Sequence, residues 1–191
     1  MRVVAALYLI LAAGAVEASA PPLVEGAPNT RPILLGDDGP ACGRDGRHAV
    51  RVEVVGLRSR DGYLRAELYP ATSEDFLKPD RLLEREGKPF RRAWIAVPAT
   101  APAVLCLRAP AAGEYALSVV HLEEKRWKFN FRRDGAGFSN NPKIGMGKPP
   151  VEKVAFPVSA GVAQQRVQMN YLQGLSFRPL RREAAQVAEA N

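Results

Sequence analysis

Apolar and polar residues alternate with a period of two through most of the chain between residues 48 and 172. In HAVRVEVVGL (48–57), Val50, Val52 and Val54 share one face, with Arg51 and Glu53 opposite. GYLRAELY (62–69) repeats the pattern, setting Leu64, Ala66 and Leu68 against Arg65 and Glu67. Each reads as a half-buried strand, and the S-R-D-G between them predicts a hairpin. RRAWIAVP (91–98) and AVLCLRAP (103–110) continue the series. AAGEYALSVVHL (111–122) is apolar on both faces, which predicts a central strand. Its Tyr115 stands where sandwich domains place a tyrosine that pins the preceding corner. RWKFNFR (126–132) predicts a strand that buries Trp127, Phe129 and Phe131 and presents Arg126, Lys128 and Arg132. VEKVAFPV (151–158) and QQRVQMNYL (164–172) read as the last two strands, the second with Val167, Met169 and Tyr171 inward.

Two segments break the alternation. Residues 75–90 contain a helical turn or two at Asp80 to Glu86, ended by Gly87. Residues 134–150 are rich in glycine and proline and read as a long loop. Short strands separated by turns, with almost no helix, predict an all-β fold: a single antiparallel β-sandwich of about seven or eight strands, immunoglobulin- or transthyretin-like. The sandwich is expected over 48–172, after an irregular lead-in at 19–47 that Cys42 anchors. The tail at 173–191 shows no docking face, and its helix-favouring end is too short to be stable alone.

The N-terminus adds a compartment. Arg2 precedes an apolar run from Val3 to Val16, and small residues follow. This predicts a signal peptide at 1–18, cut after Ala18 or Ala20. The run of about 14 residues is short of the roughly 20 that span a bilayer. The expected protein is therefore exported, periplasmic or extracellular, with no transmembrane segment in the mature chain. Cys42 and Cys106 are the only cysteines. In an oxidising compartment an even count predicts a disulfide, and neither cysteine has a second ligand at metal spacing. Closing a loop of about 65 residues contributes roughly 4 kcal/mol.

Several of these pieces carry a resemblance. VVGLRSRDGYLRAELY, GEYALSVVH, GFSNNPK, GKPPVEKVAFPV and VQMNYL occur in the order seen in a secreted bacterial family, domain of unknown function 2141. The chain resembles that family over roughly residues 42–172, most specifically at Gly137 to Asn141. The resemblance implies a small exported β-sandwich. Its members commonly follow the strand ending at His121 with a loop like D-E-N-G-N-G-K-L-D, whose spaced oxygens suit calcium. Here Leu122 and Asn130 stand at its first and last acidic positions, Lys125 and Trp127 at its glycines, and Lys125, Arg126 and Lys128 put three cations inside it. No metal role is carried over, and no cofactor is expected.

The net charge of +7 and pI of about 9.7 favour anionic partners. Export excludes cytosolic nucleic acid and leaves an envelope polymer or lipid head group. From His121 to Lys153 there are eight Lys or Arg against four Asp or Glu. The leading expectation is thus a non-enzymatic envelope-binding domain using Lys125, Arg126, Lys128, Arg132 and Arg133, beside the plainer reading of a solvated strand face. Arg178, Arg181 and Arg182 of the tail are candidates to join it. An alternative is a carbohydrate-binding module in which Phe138 stacks on a sugar and Ser139, Asn140 and Asn141 bond its hydroxyls. The structural reading of that stretch, an Asx turn with Phe138 as core anchor, is preferred. A second alternative is a hydrolase around His121 with Glu123 or Glu124. No nucleophile accompanies it, so a histidine bonded to a neighbouring loop is preferred. His48 is expected to be exposed.

Overall fold

The computed structural model describes residues 34–35, 38–43, 47–100, 102–124, 128–145 and 147–180. The signal-peptide expectation and the helix-favouring end of the tail lie outside them. Eleven strands occur among the described residues. They are β1 (Leu34–Leu35), β2 (Ala49–Val55), β3 (Tyr63–Pro70), β4 (Arg91–Ala96), β5 (Ala103–Arg108), β6 (Gly113–Leu122), β7 (Gly135–Phe138), β8 (Ala155–Val158), β9 (Val162–Gln168), β10 (Asn170–Gln173) and β11 (Ser176–Pro179). One short α-helix among the described residues, α1 (Asp80–Arg85), precedes Gly87 at φ +64°, as the sequence predicts. No helix among the described residues is long and apolar enough to cross a membrane.

The strands form two sheets. Sheet A runs β1-β5-β2-β9 and sheet B runs β11-β10-β7-β6-β3-β4, with β8 also paired to β6. Val50, Val52 and Val54 of β2 meet Leu64, Ala66 and Leu68 of β3 and Leu117 and Val119 of β6 in the shared core. The sandwich is as expected, with two refinements. Sheet A is mixed, because β1 pairs β5 and β2 pairs β9 in parallel. The predicted β2–β3 hairpin does not form. β2 belongs to sheet A and β3 to sheet B, and Leu57 dips into the core as residues 56–62 cross between them. Alternation specifies which face is buried, and that face is the same whether the neighbour in sequence is paired beside it or stacked across the core.

β6 is central, as its apolar faces require. One edge pairs with β3 along its length; the other pairs with β8 over Gly113 to Ala116 and with β7 over Ser118 to His121. Leu117 falls in the gap. Ser139 fills it: its N–H donates to the Leu117 carbonyl at 3.0 Å, and its Oγ accepts the Leu117 N–H at 3.0 Å and donates to the Val154 carbonyl at 2.5 Å. Tyr115 pins its corner as predicted, donating from Oη to the Ala111 carbonyl at 3.0 Å.

The expected strand 164–172 is instead two. β9 lies in sheet A, β10 in sheet B, and the chain changes sheets at Met169. Val167, Met169 and Tyr171 all point inward, as expected, because the crossing keeps one side toward the core. Three side chains bond backbone groups at the open edge of β9 and at the crossing. Asn141 Oδ1 accepts the Gln168 N–H at 2.7 Å, and its Nδ2 donates to the Arg166 carbonyl at 2.8 Å. Gln168 Nε2 reaches the Met169 carbonyl at 3.0 Å, and Asn170 Nδ2 the Gln168 carbonyl at 2.9 Å. Asn140 and Asn141 hold left-handed backbone, φ +59° and +49°, which asparagine tolerates better than most residues. β7 passes so close beneath the crossing that a Cβ on Gly137 would lie 2.8 Å from the Gln168 carbonyl oxygen and one on Gly135 would lie 2.6 Å from the Tyr171 ring.

At the far edges the lead-in closes the sandwich. Asp38 accepts Arg91 of β4 at 2.6 and 2.5 Å and the Arg108 N–H of β5 at 3.0 Å, so one carboxylate joins both sheets. Burial would raise its pKa; the Arg91 guanidinium and Arg108 outweigh that and hold it below the usual carboxylate value. The Cys42–Cys106 disulfide fixes the same segment to β5. The lead-in thus contributes β1, and the tail, for which no docking face was expected, contributes β11 on the edge of β10. A third layer covers the outer face of sheet B, where Phe76, Leu83, Val151 and Val154 pack on Tyr69, Ala116 and Phe138. Residues 151–153 of the expected strand 151–158 form a 3-10 turn in this layer, and only 155–158 are extended.

Two outcomes follow. Ser139→Ala orphans the buried Leu117 N–H and Val154 carbonyl; at about 1–3 kcal/mol for each unsatisfied group, urea unfolding should show a loss of about 2–6 kcal/mol. An unchanged midpoint would contradict the gap-filling role. The native protein should resist thiol labelling at Cys42 and Cys106, and reduction should lower its stability by about 2–5 kcal/mol.

Candidate functional site

Register brings two segments to one end of sheet B. β10 runs antiparallel to β7 with Asn170 opposite Ala136. The tip of the β10–β11 hairpin therefore extends past Gly135, alongside the turn at 128–134. The expected strand at 126–132 is not formed among its described residues. Asn130 Oδ1 accepts the Arg132 N–H at 3.0 Å, and the Asn130 carbonyl accepts the N–H groups of Arg133 and Asp134 at 3.0 and 2.8 Å. Asp134 closes the turn by accepting the N–H groups of Asn130 at 2.7 Å and Glu123 at 3.3 Å. Local side-chain bonding of Asn and Asp to the backbone competes with the sheet ladder and here overrides alternation.

The inner side of this end is a closed polar network. Tyr171 Oη accepts the Arg58 N–H at 2.9 Å and lies 2.7 Å from His121 Nδ1; His121 Nε2 lies 2.8 Å from the Asp61 carbonyl. A carbonyl only accepts, so Nε2 carries the proton, and Nδ1 of the neutral ring accepts from Tyr171. His121 is fully buried, and burial lowers its pKa. Arg58 spans from this network to the surface. Its Nε and one terminal nitrogen each donate to Glu123 at 2.7 Å, it also bonds the Arg133 carbonyl, and its guanidinium lies 4.7 Å from the Tyr171 ring centre.

The outer side is cationic and aromatic. Lys128, Phe129, Phe131 and Arg132 are exposed, and the Arg132 guanidinium lies 5.7 Å from the Phe131 ring centre. The expectation that Phe129 and Phe131 are core residues is corrected, since they are 39% and 54% exposed; Trp127 lies outside the described residues, as do Lys125, Arg126, Arg181 and Arg182. Arg133 is exposed but ion-paired to Glu124. Phe129 stacks on Phe177 of β11 with centroids 6.4 Å apart. Phe177 also borders an open cleft of about 660 Å³ with Asn141, Lys143, Asn170 and Arg178 on its walls.

The side chains of the Gly137–Asn141 stretch are engaged within the fold. Phe138 is buried against Phe76, 5.9 Å between centroids, and Ser139 is wholly inside. Asn140 and Asn141 are exposed, but their amides are spent on the Ala155 and Arg166 carbonyls and the Gln168 N–H. His121 is the loop-bonded histidine preferred from the sequence. Glu123 and Glu124 are each paired to a different arginine. His48 is half-buried, with Nδ1 3.0 Å from the Ser159 carbonyl.

Two further polar clusters are structural. Glu67, buried beneath α1, accepts from Tyr69 Oη at 2.9 Å and Arg92 Nε at 2.7 Å, and Arg92 also holds Asp80 of α1 at 2.5 Å. Glu74, Asp75 and Glu86 present carboxylate oxygens within 4.8 Å of one another. The Lys78 ammonium already stands among them, 3.6, 4.0 and 2.6 Å away in that order, and serves as their cation. Sequence reading offered Arg178 for the cationic end but missed Phe177 and Leu175. β11 is too short and polar to signal itself, and only the register shows what it lies beside.

The buried histidine sets a pH dependence. The folded chain keeps His121 neutral below the pH at which an unfolded histidine, of pKa about 6.5, takes up its proton. Its stabilising contribution is therefore complete above about pH 6.5 and is lost as pH falls through that value toward the lowered folded pKa. Urea unfolding from pH 7 to 5 should show stability falling, with a shallower slope in His121→Gln. An equal slope in the variant would contradict the assignment.

Comparison with curated proteins and with solved structures returns no match. A family model does match, over residues 52–166: a family described as an uncharacterized protein conserved in bacteria, DUF2141. That span covers most of both sheets and the Ser139–Asn141 corner, and the chain belongs to this bacterial family.

Proposed function

We propose that the protein is an exported, non-enzymatic β-sandwich that binds an anionic component of the bacterial envelope through the cationic turn at one end. One observation carries the reading. The acidic side chains of this end are consumed internally: Glu123 by Arg58, Glu124 by Arg133 and Asp134 by backbone N–H groups. Lys128, Arg132 and Arg178 stay exposed on the same end, so its field is positive. Lys125 and Arg126 add charge in the adjoining sequence. The signal-like N-terminus and the disulfide support export.

The competing readings are less well supported. A sugar-binding Gly137–Asn141 loop lacks an accessible ring, since Phe138 packs inward. A hydrolase lacks a reachable base, since both ring nitrogens of His121 are engaged and the side chain is enclosed.

Binding to dextran sulfate, a simple anionic polymer, tests the charge argument. Affinity should fall steeply with salt, because screening weakens exposed charge contacts. Lys128→Glu with Arg132→Glu should weaken it at least tenfold without changing thermal stability. Unchanged affinity in the double variant would contradict the proposal.

A further inference from the structure

Charge alone does not account for this end. Four large apolar side chains are exposed among the described residues: Leu77, Phe129, Phe131 and Leu175. Three of the four lie on the 128–134 turn and the hairpin that register sets beside it. Leu175, at the hairpin tip, is 84% exposed, and Phe131 is 54% exposed. A surface built only to hold a water-soluble anionic polymer gains nothing from an aliphatic side chain at its apex. Exposed apolar groups clustered among cations instead mark an interaction surface.

We propose that this end seats on an anionic lipid bilayer. Phe129, Phe131 and Leu175 enter the boundary between head groups and acyl chains, while Lys128, Arg132 and Arg178 stay at head-group level. The inference rests on the proposed function and narrows its ligand to a lipid surface. Three features support it. Long cationic side chains can keep their charge in the polar layer while their stems lie along apolar surface, and Arg132 already sits against the Phe131 ring. Interfacial binding draws on buried apolar area plus attraction to anionic lipid, and both are present in one place. The supports are also preformed: Asp134 and Asn130 cross-link the turn, and Gln173 Nε2 bonds the Arg178 and Pro179 carbonyls at 3.0 and 3.1 Å across the hairpin. Little ordering is then required on contact. Leucine also separates this reading from sugar binding, because an aliphatic side chain offers no face for stacking.

Co-sedimentation of the full chain with vesicles tests it, using phosphatidylglycerol–phosphatidylcholine mixtures, phosphatidylcholine alone, and dextran sulfate as the soluble anion. The wild type should bind the mixed vesicles and retain part of that binding at high salt. Phe131→Ser with Leu175→Ser should lose at least tenfold in vesicle affinity while dextran sulfate binding stays within twofold. Phe131→Trp, which keeps an apolar ring, should retain vesicle binding. Undiminished vesicle binding by the double serine variant would overturn the inference, as would a Phe131→Trp loss equal to that of Phe131→Ser. Binding to dextran sulfate but not to vesicles would overturn it while leaving the proposed function standing. Binding to neither would overturn both.

Discussion

Between Gln168 and Asn170 the chain leaves one sheet and enters the other, and the backbone groups freed by that departure have to be satisfied. β9 is the outer strand of sheet A, so the Arg166 carbonyl and Gln168 N–H that face away from β2 have no strand beside them, and the turn from sheet to sheet leaves the Gln168 and Met169 carbonyls to be bonded as well. Unpaired backbone groups away from water cost as much as lost hydrogen bonds. Asn141 supplies an acceptor and a donor in one side chain, and Gln168 and Asn170 supply donors from the crossing segment itself. With left-handed backbone at 140–141, Asn141 bonds the crossing segment and Asn140 the Ala155 carbonyl of β8. Gly135 and Gly137 let β7 approach beneath it, and Ser139 repairs the gap that the same turn leaves on β6. A five-residue stretch with the look of a ligand loop is thus a joint between two sheets.

The opposite side of the sandwich is closed by different chemistry. There a carboxylate, Asp38, receives Arg91 from sheet B and a backbone N–H from sheet A, and a disulfide holds the segment that carries it. With both sides tied, the loops at one end rest on a rigid frame. The His121–Tyr171–Arg58 network extends that frame to the base of the 128–134 turn. The proposed function draws on what the frame presents and does not itself use: exposed cations and rings whose acidic neighbours are already paired.

The strands β2, β3 and β6 were legible because period-two alternation reports a buried face directly, and Tyr115, α1 and the disulfide were legible from position and residue type. Pairing was not. The face that Val50, Val52 and Val54 bury is the same whether β3 lies beside them or across the core, so the false hairpin followed from a true pattern. β7 was hidden because G-A-G-F has small residues wherever the crossing strand comes close, and this erases the alternation. The cationic end misled in the other direction. RWKFNFR alternates cleanly, yet Asn130 and Asp134 bond their own backbone and turn Phe129 and Phe131 outward. Its charge was visible in the sequence; its exposed apolar component appears only when the register brings the hairpin tip alongside.

The claim on which the rest depends is that Asn141 holds the crossing. Native-state hydrogen exchange at the Gln168 N–H, compared between the wild type and Asn141→Ala, tests it most directly. Strong protection is expected in the wild type and a large acceleration at Gln168 in the variant, spreading to β9 and β10 before it reaches the β3–β6 centre of sheet B. Equal protection at Gln168 in both proteins would mean that the crossing is secured without Asn141, and the joint would have to be sought elsewhere.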